Sequence, residues 1–386
     1  PKDQPWLLIS SMVNPHDIMY YLAQEDERGD DNGMMQPKLH GLPNMAELER
    51  WWDPALPESV TDDLSQQPLG PRNYKEFAQL NYTHVPEGRD DIWKQRRNYL
   101  INCMRLVDHE FSRILTELEE QDLWENTVVI FTSDHGEMNG AHQMTQKGGI
   151  HFDEATVVNM TAVVPGGAQG VESTAVGSHI DLVPTVLSLA GLDENQRAEK
   201  YPKLPGRDLS GVFTDPQSTT PPRGSAENPG DGALLMWEGL HQLDPKWAVT
   251  GAMLQLVDLP LDTELRREKM QETGAEFGAP DFSRRSFFRA VVDGRYKLVR
   301  WFSPDEYGTP QTVEELYETS DVSLHDLVDD PNEMENLGNP EHPKFDADLV
   351  ARLLDKLNAL IERELGDDEC PMDLDMFGTR DVTYQA

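Results

Sequence analysis

A long amphipathic stretch that leads into a short apolar strand constrains the fold of this chain most. Apolar side chains recur at three- and four-residue steps over residues 91–121, which predicts one helix with a buried face. Residues 127–133 then predict a buried strand of the parallel type that ends in polar side chains. A helix followed at once by such a strand is typical of α/β proteins.

Two further segments continue this alternation of helix and strand. Residues 156–164 predict a second strand, and residues 181–192 predict a helix that stops at Gly191. The apolar run 6–13 predicts another buried strand, which leads into a loop at 14–17. We therefore expect an α/β sandwich with a mostly parallel sheet between layers of helices.

The C-terminal part follows a different pattern. The strand-like runs 287–292 and 296–302 flank Asp293-Gly294, which is a strong signal for a β-hairpin. Residues 347–365 predict an amphipathic helix. Together they predict a smaller subdomain in which an antiparallel sheet packs beside a helix. The expected parts are an α/β domain over 1–213, a linker and insertion over 214–285, and the C-terminal subdomain over 286–386.

The charge of the chain excludes one class of partner. The formal net charge is −37 over 386 residues, so a nucleic-acid backbone would be repelled. The sequence has no apolar run of about 18 residues or more, the length that would predict a membrane span. Its two cysteines, Cys103 and Cys370, are too few for a disulfide framework and lack a metal-type spacing. They leave the cellular compartment open.

The stretch 132–136, Thr-Ser-Asp-His-Gly, carries the strongest chemical signal. Asp134 and His135 stand where a strand ends, and ligands of open α/β sheets bind beyond the carboxyl ends of the strands. A carboxylate beside an imidazole can hold a divalent cation, and Gly136 lets the backbone turn sharply. The motif alone also fits a capping Asp and a solvated His, so the segments around it decide between these interpretations.

These segments resemble the sulfatase branch of the alkaline phosphatase superfamily. After Asp-His-Gly come a Gly-x-His segment, a lysine that stands 12 residues after His135, a glutamate, and an apolar strand that ends in Pro-Gly-Gly. Histidine at position 135, where many sulfatases have Asn, is similar to choline sulfatases and phosphonate monoester hydrolases. Other segments resemble the family in the same order, at 14–17, 178–185, 206–209, 294–297 and 324–337.

The resemblance implies a role for each of five residues. Asp134 and His135 would be metal ligands, and the ion would be Ca²⁺ by family habit, with Mn²⁺ or Zn²⁺ as alternatives. Lys147 would bind a non-bridging oxygen of the ester or the bridging oxygen as the leaving group departs. His16 would contact the ester oxygens or act as a general acid. His142 would line the pocket or orient the metal-binding loop, and both roles stay open.

The nucleophile that the resemblance implies does not occur in the sequence. Sulfatases oxidise the cysteine of Cys-x-Pro-x-Arg to formylglycine, and the residues after Cys103 and Cys370 do not fit that motif. The segment 219–223 has a threonine at the same spacing, but it follows the metal motif, so we interpret the match as chance. We expect residues upstream of Pro1 to supply the formylglycine, an early Asp pair for the metal, and a central strand.

The implied activity is hydrolysis of a sulfate ester of a small molecule or sugar. The alternatives are a phosphonate or phosphate mono- or diester hydrolase of the same superfamily, and a non-catalytic binding protein on a sulfatase scaffold. Residues 22–90, which predict long loops with short helices, and residues 225–285 are the expected specificity segments. The expected partners are the ester substrate and an N-terminal segment of the same protein, and a homo-oligomer stays open.

Overall fold

A computed structural model describes residues 6–21, 46–82, 84–245, 281 and 283–369 of the chain. The strands in these residues are β1 (Val129–Phe131), β2 (Thr161–Val163), β3 (Ala233–Trp237), β4 (Phe287–Val292), β5 (Tyr296–Phe302) and β6 (Asp321–Asp326). The α-helices are α1 (Leu69–Asn81), α2 (Asp90–Glu120), α3 (Asp153–Thr156), α4 (Leu182–Leu189), α5 (Glu194–Lys200), α6 (Ser210–Thr214), α7 (Leu240–Leu243), α8 (Val313–Thr319) and α9 (Ala347–Glu364). None of the helices in these ranges has the length and hydropathy needed to cross a membrane.

The helices that the sequence predicted are confirmed. Helix α2 begins with Asp90 and Asp91, whose charges favour the N-terminal end of a helix, and it runs for 31 residues. Helix α4 is followed by Gly191, whose φ of +93° allows the chain to leave the helix. The region 22–90 differs in part, because α1 is a regular helix of 13 residues. Residues 22–45 lie outside the described residues.

The strand that precedes the Asp-His-Gly motif is shorter and more exposed than expected. β1 pairs antiparallel with β2, with Val129 opposite Val163. Phe131 is 43% exposed and Val163 is 41% exposed. Every strand pair among the described residues is antiparallel, so the expected parallel pairing is not found there.

The apolar run near the start of the described chain is not a strand. Leu7 is 70% exposed and Ile9 is 79% exposed, and residues 6–13 have no regular structure. The prediction of a buried strand at 6–13 is therefore wrong for this structure. No strand among the described residues pairs with the run, so its backbone gains no ladder of hydrogen bonds.

The C-terminal sheet is confirmed and is larger than expected. Four antiparallel strands follow the order β3-β4-β5-β6. The hairpin between β4 and β5 turns at Gly294, whose φ of +109° is accessible to glycine without strain. β3 comes from the stretch 214–285 that the sequence assigned to a linker and insertion, so this stretch also contributes to the sheet.

Both faces of the C-terminal sheet are covered. On one face, Leu298 and Leu324 pack with α9 residues such as Leu357, and all three are 0% exposed. On the other face, Trp301 packs so closely against Gly70 in α1 that a Cβ at Gly70 would lie 2.2 Å from its ring. Because side chains alternate between faces, Lys297 lies on the same face as Trp301, toward the Asp-His-Gly region.

Candidate active site

Asp134 and His135 lie in the loop directly after β1. The side chain of Asp134 is 80% exposed, and that of His135 is 33% exposed. Asp134 Oδ1 accepts a hydrogen bond from the backbone N–H of His135 at 3.0 Å. His179 Nε2 lies 2.8 Å from the carbonyl oxygen of Ser133, which holds the end of the strand against the segment before α4. These contacts fix the loop while the carboxylate stays accessible.

The donor atoms of this pair fit a divalent cation. His135 Nδ1 lies 2.8 Å from the carbonyl oxygen of Gly136, which can only accept, so the ring proton is on Nδ1. In the neutral ring, His135 Nε2 then presents a lone pair, and it lies 3.4 Å from Asp134 Oδ2. Burial alone would raise the pKa of Asp134, but His135 and hydrogen bonds to the carboxylate outweigh it and lower the pKa. The carboxylate is thus available as an anionic ligand.

Lys147 reaches the same region from the loop that follows. Its Nζ donates to the carbonyl oxygen of His16 at 3.3 Å, and its side chain is 9% exposed. The centroids of the His16 and His135 rings lie 5.9 Å apart. Burial lowers the pKa of Lys147, and the carboxylate of Glu137 opposes that shift. The structure thus brings together four of the five residues that the sequence singled out.

Glu137 is the supporting residue that the sequence did not single out. Its carboxylate lies between two cations, 3.0 Å from Arg96 Nη2 and 3.5 Å from Lys147 Nζ. It also accepts from the backbone N–H of Gln146 at 2.9 Å, next to Lys147 in the chain. Glu137 stands two residues after the His135 of the motif, so the spacing was a signal, but only the fold shows its contacts to both cations.

His142 lies apart from this group. Its side chain is 0% exposed, its Nδ1 lies 2.7 Å from Asp62 Oδ2, and its ring stacks on Phe152 with centroids 3.6 Å apart. A buried, paired ring cannot line an open site. Of the two roles left open for His142, this geometry supports orienting the loop between β1 and Lys147.

A second set of polar residues is buried beneath the loop of Lys147. Lys297 Nζ lies 2.6 Å from Asp153 Oδ1 and 2.7 Å from Glu333 Oε1. Burial alone would lower the pKa of Lys297, but the two carboxylates outweigh it and raise the pKa. His151 Nε2 lies 3.0 Å from His325 Nε2. Burial is the main reason that the pKa of His325 is lowered, to about 3.

Comparisons with known proteins find sulfatases. A protein-family model described as Sulfatase matches residues 1–192. The uncharacterized sulfatase YidJ of Escherichia coli (strain K12) is 31% identical over 213 residues, which is 54% of this chain and 35% of that protein. Choline-sulfatase of Rhizobium meliloti (strain 1021) is 24% identical over 193 residues, 49% of this chain and 32% of that protein. The chain spans about a third of the length of these two curated relatives.

A solved structure shares the fold. A 2-O GAG sulfatase superposes with a TM-score of 0.57 at 17% identity, over 96% of this chain and 60% of that chain. At this level of identity the likeness concerns the fold alone. It confirms the expected fold class, an alkaline phosphatase-like α/β fold with an antiparallel C-terminal sheet.

Proposed function

Because the chain belongs to the sulfatase family, we propose that the complete protein hydrolyses sulfate esters at the site around Asp134, His135, Lys147 and His16. One observation carries the proposal. The ammonium of Lys147, whose side chain is largely buried, contacts the backbone of His16 at 3.3 Å, beside the accessible Asp134 and His135 pair. A fixed cation next to a metal-binding pair suits a substrate that is an anionic ester.

Asp134 and His135 would hold the divalent cation of the family. When bound, that ion would favour the anionic form of a hydroxyl nucleophile and polarise the ester oxygens. Ca²⁺ is the expected ion, with Mn²⁺ or Zn²⁺ as alternatives. Further carboxylate ligands and the formylglycine would come from upstream residues of the same protein.

Lys147 and His16 would act on the ester itself. Negative charge develops on the bridging oxygen as the bond to sulfur breaks, and the Lys147 ammonium would stabilise that charge. Glu137 would keep the ammonium charged and aimed, because its carboxylate opposes the effect of burial on the pKa of Lys147. His16 would contact the ester oxygens or give a proton to the leaving oxygen.

The proposed substrate class is a sulfate ester of a small molecule or a sugar. Choline-sulfatase is among the curated relatives, and its name fits a small sulfate ester. The histidine of Asp-His-Gly keeps a phosphonate or phosphate ester as the second candidate. An assay of the complete protein on aryl sulfates, choline sulfate, sugar sulfates and phosphonate monoesters separates these classes, and equal inactivity on all of them supports the non-catalytic alternative.

Lys147→Ala tests the site itself. Loss of one preorganised electrostatic contact costs about 2.7–4 kcal/mol, so we expect kcat to fall roughly a hundred- to a thousandfold. Metal content and melting temperature should change little. Lys94→Ala is the matched control, because the side chain of Lys94 is 39% exposed and its ion pair with Asp53 is long, at 3.4 Å. Normal kcat with a raised KM would show that Lys147 binds the ground state instead.

A further inference from the structure

A buried cluster of His151, His325 and Glu333 takes no part in the proposed reaction. One nitrogen of each histidine and one oxygen of Glu333 lie within 4.8 Å of one another. The three residues are 0%, 0% and 1% exposed. Two imidazoles and a carboxylate form a ligand set that Zn²⁺ takes in proteins. The cluster therefore has the composition and closeness of a metal site away from the Asp-His-Gly motif.

The hydrogen bond of His325 fixes the direction of its lone pair. His325 Nδ1 lies 2.9 Å from the carbonyl oxygen of Glu335, so the proton of the neutral ring is on Nδ1. His325 Nε2 is then unprotonated, and it faces His151 Nε2 at 3.0 Å. A carbonyl bonded to the far nitrogen is the usual way in which a metal-binding histidine is oriented.

Neutral His151 cannot satisfy both of its nitrogens within the part of the chain that the structure describes. With the proton on Nε2, it bonds His325 but leaves Nδ1 as a buried acceptor without a donor. With the proton on Nδ1, two lone pairs face each other across 3.0 Å. A cation held by both Nε2 atoms removes the repulsion in the second arrangement, and the Nδ1–H of His151 is then a buried donor with no acceptor in the described part of the chain.

Lys297 Nζ lies 2.7 Å from Glu333 Oε1, so a metal would compete with this ammonium for the Glu333 carboxyl group. The other contacts of Lys297 decide whether it can give up that one. Lys297 Nζ also donates to Asp153 Oδ1 at 2.6 Å and to the carbonyl oxygen of His151 at 2.8 Å. It therefore keeps two partners if Glu333 turns Oε1 toward a metal while Oε2 keeps the backbone N–H of Asp153 at 2.6 Å. Burial raises the pKa of Glu333 to about 8, so the metal would take this carboxyl by displacing its proton.

We propose that His151, His325 and Glu333 form a Zn²⁺ site with three protein ligands that fastens the loop of Lys147 to β6. Zn–N bonds of about 2.0–2.1 Å in tetrahedral geometry separate two nitrogens by roughly 3.3 Å, so the histidines need to part by only a few tenths of an ångström. His151 follows Lys147 by four residues, so the ion would hold the base of the loop that presents the ammonium. The site does not depend on the proposed hydrolysis.

Metal counting tests the site without any assay of activity. The complete protein carrying Asp134→Asn, which weakens the Asp-His-Gly site, is stripped with a chelator, equilibrated with Zn²⁺ and dialysed. We expect about one tightly held zinc per chain, which His325→Gln or Glu333→Gln removes. His109→Gln, on the exposed part of α2, should keep it. Equal zinc in all of these variants would overturn the proposal.

X-ray absorption at the zinc edge gives a second measurement that needs no cluster variant to fold. In the Asp134→Asn protein, the spectrum should show scattering from two imidazoles and an oxygen ligand at about 2.0–2.2 Å. Protein that holds no zinc after equilibration, or zinc without imidazole scattering, would contradict the site. The buried histidines would then be a hydrogen-bonded pair beside an ion pair.

Discussion

The C-terminal sheet and the strands beside the candidate site differ in how well their apolar faces are covered. Leu298, Leu324 and Trp301 in the C-terminal sheet are 0% exposed. Phe131 in β1 is 43% exposed, and Val163 in β2 is 41% exposed. The C-terminal sheet is therefore stabilised by α9 on one face and by α1 on the other, whereas the strands beside the site have no comparable cover in the described part of the chain.

Buried ion pairs join the segment before α4 to the C-terminal helix α9. Arg223 is 0% exposed, and its guanidinium lies 2.7 Å from each oxygen of Asp181, just before α4. The same guanidinium lies 2.8 Å from Glu364 at the end of α9. Burial alone would lower the pKa of Arg223, but both carboxylates outweigh it and raise the pKa. Buried charge thus joins the segment before α4 to the helix that covers the C-terminal sheet.

The largest expected effect concerns the open faces of β1 and β2. Their exposed apolar side chains favour the expectation that a further segment of the same protein covers them. Residues 1–386 expressed alone should bind a hydrophobic dye and lack a sharp unfolding transition, and the complete protein should show the opposite. Cooperative unfolding of residues 1–386 as a stable monomer would show that the open faces need no such cover.

Removal of the Arg223 side chain should be the most damaging single change. Arg223→Ala leaves Asp181 and Glu364 as buried charges without their cation, which costs about 3–5 kcal/mol. Chemical denaturation of the complete protein measures the loss. Arg113→Ala is the control, because its side chain is 70% exposed and its pairing with Glu110 contributes little. Equal effects of the two variants would mean that Arg223 does not join the two regions.

A pair of leucines tests the difference in covering directly. Leu357 in α9 is 0% exposed, and Leu115 in α2 is 38% exposed. Leu357→Ala should cost about 2–5 kcal/mol in the free energy of unfolding, because it opens a cavity in a closed core. Leu115→Ala in the complete protein should cost less than about 1 kcal/mol if α2 is as open there as in this structure. A large loss at Leu115 would show that further chain packs on α2.

The sequence predicted those elements whose signals are local. The period of apolar side chains is enough to define α2 and α9, and Asp293-Gly294 is enough to define the hairpin of β4 and β5. β3 could not be predicted, because its single apolar run follows a stretch rich in Pro, Ser and Gly and its partner strand lies more than 50 residues away. The run 6–13 misled for the same reason, since an apolar run does not reveal whether a partner strand exists.

The candidate site, too, has residues that the sequence predicted and contacts that only the fold creates. Family-like spacing led to His16, Asp134, His135 and Lys147, which the structure brings into one region. Spacing could not show that His142 turns inward to Asp62, because its left-handed backbone (φ of +50°) is set by the folded loop. Arg223 ends a segment that only imitates a nucleophile motif, and the structure gives it a buried ion pair.

The smallest expected effect is a shift in the pH dependence of kcat when Glu137 loses its charge. In the proposed reaction Lys147 acts only when protonated, so we expect activity to be lost as pH rises through its pKa, which burial lowers from 10.5. The Glu137 carboxylate raises that pKa, so Glu137→Gln should move the basic limb of the kcat profile to lower pH. A less well fixed ammonium should also reduce kcat at pH values below that limb, by up to about a hundredfold.

The variant leaves Arg96 without its carboxylate and will melt earlier, so the profile is measured well below the melting temperature. Glu110→Gln, whose carboxylate pairs with exposed Arg113, should leave the profile unchanged. A uniform fall in kcat with an unmoved basic limb would mean that Glu137 only holds the fold, and that the charge of Lys147 is set by other groups in the site.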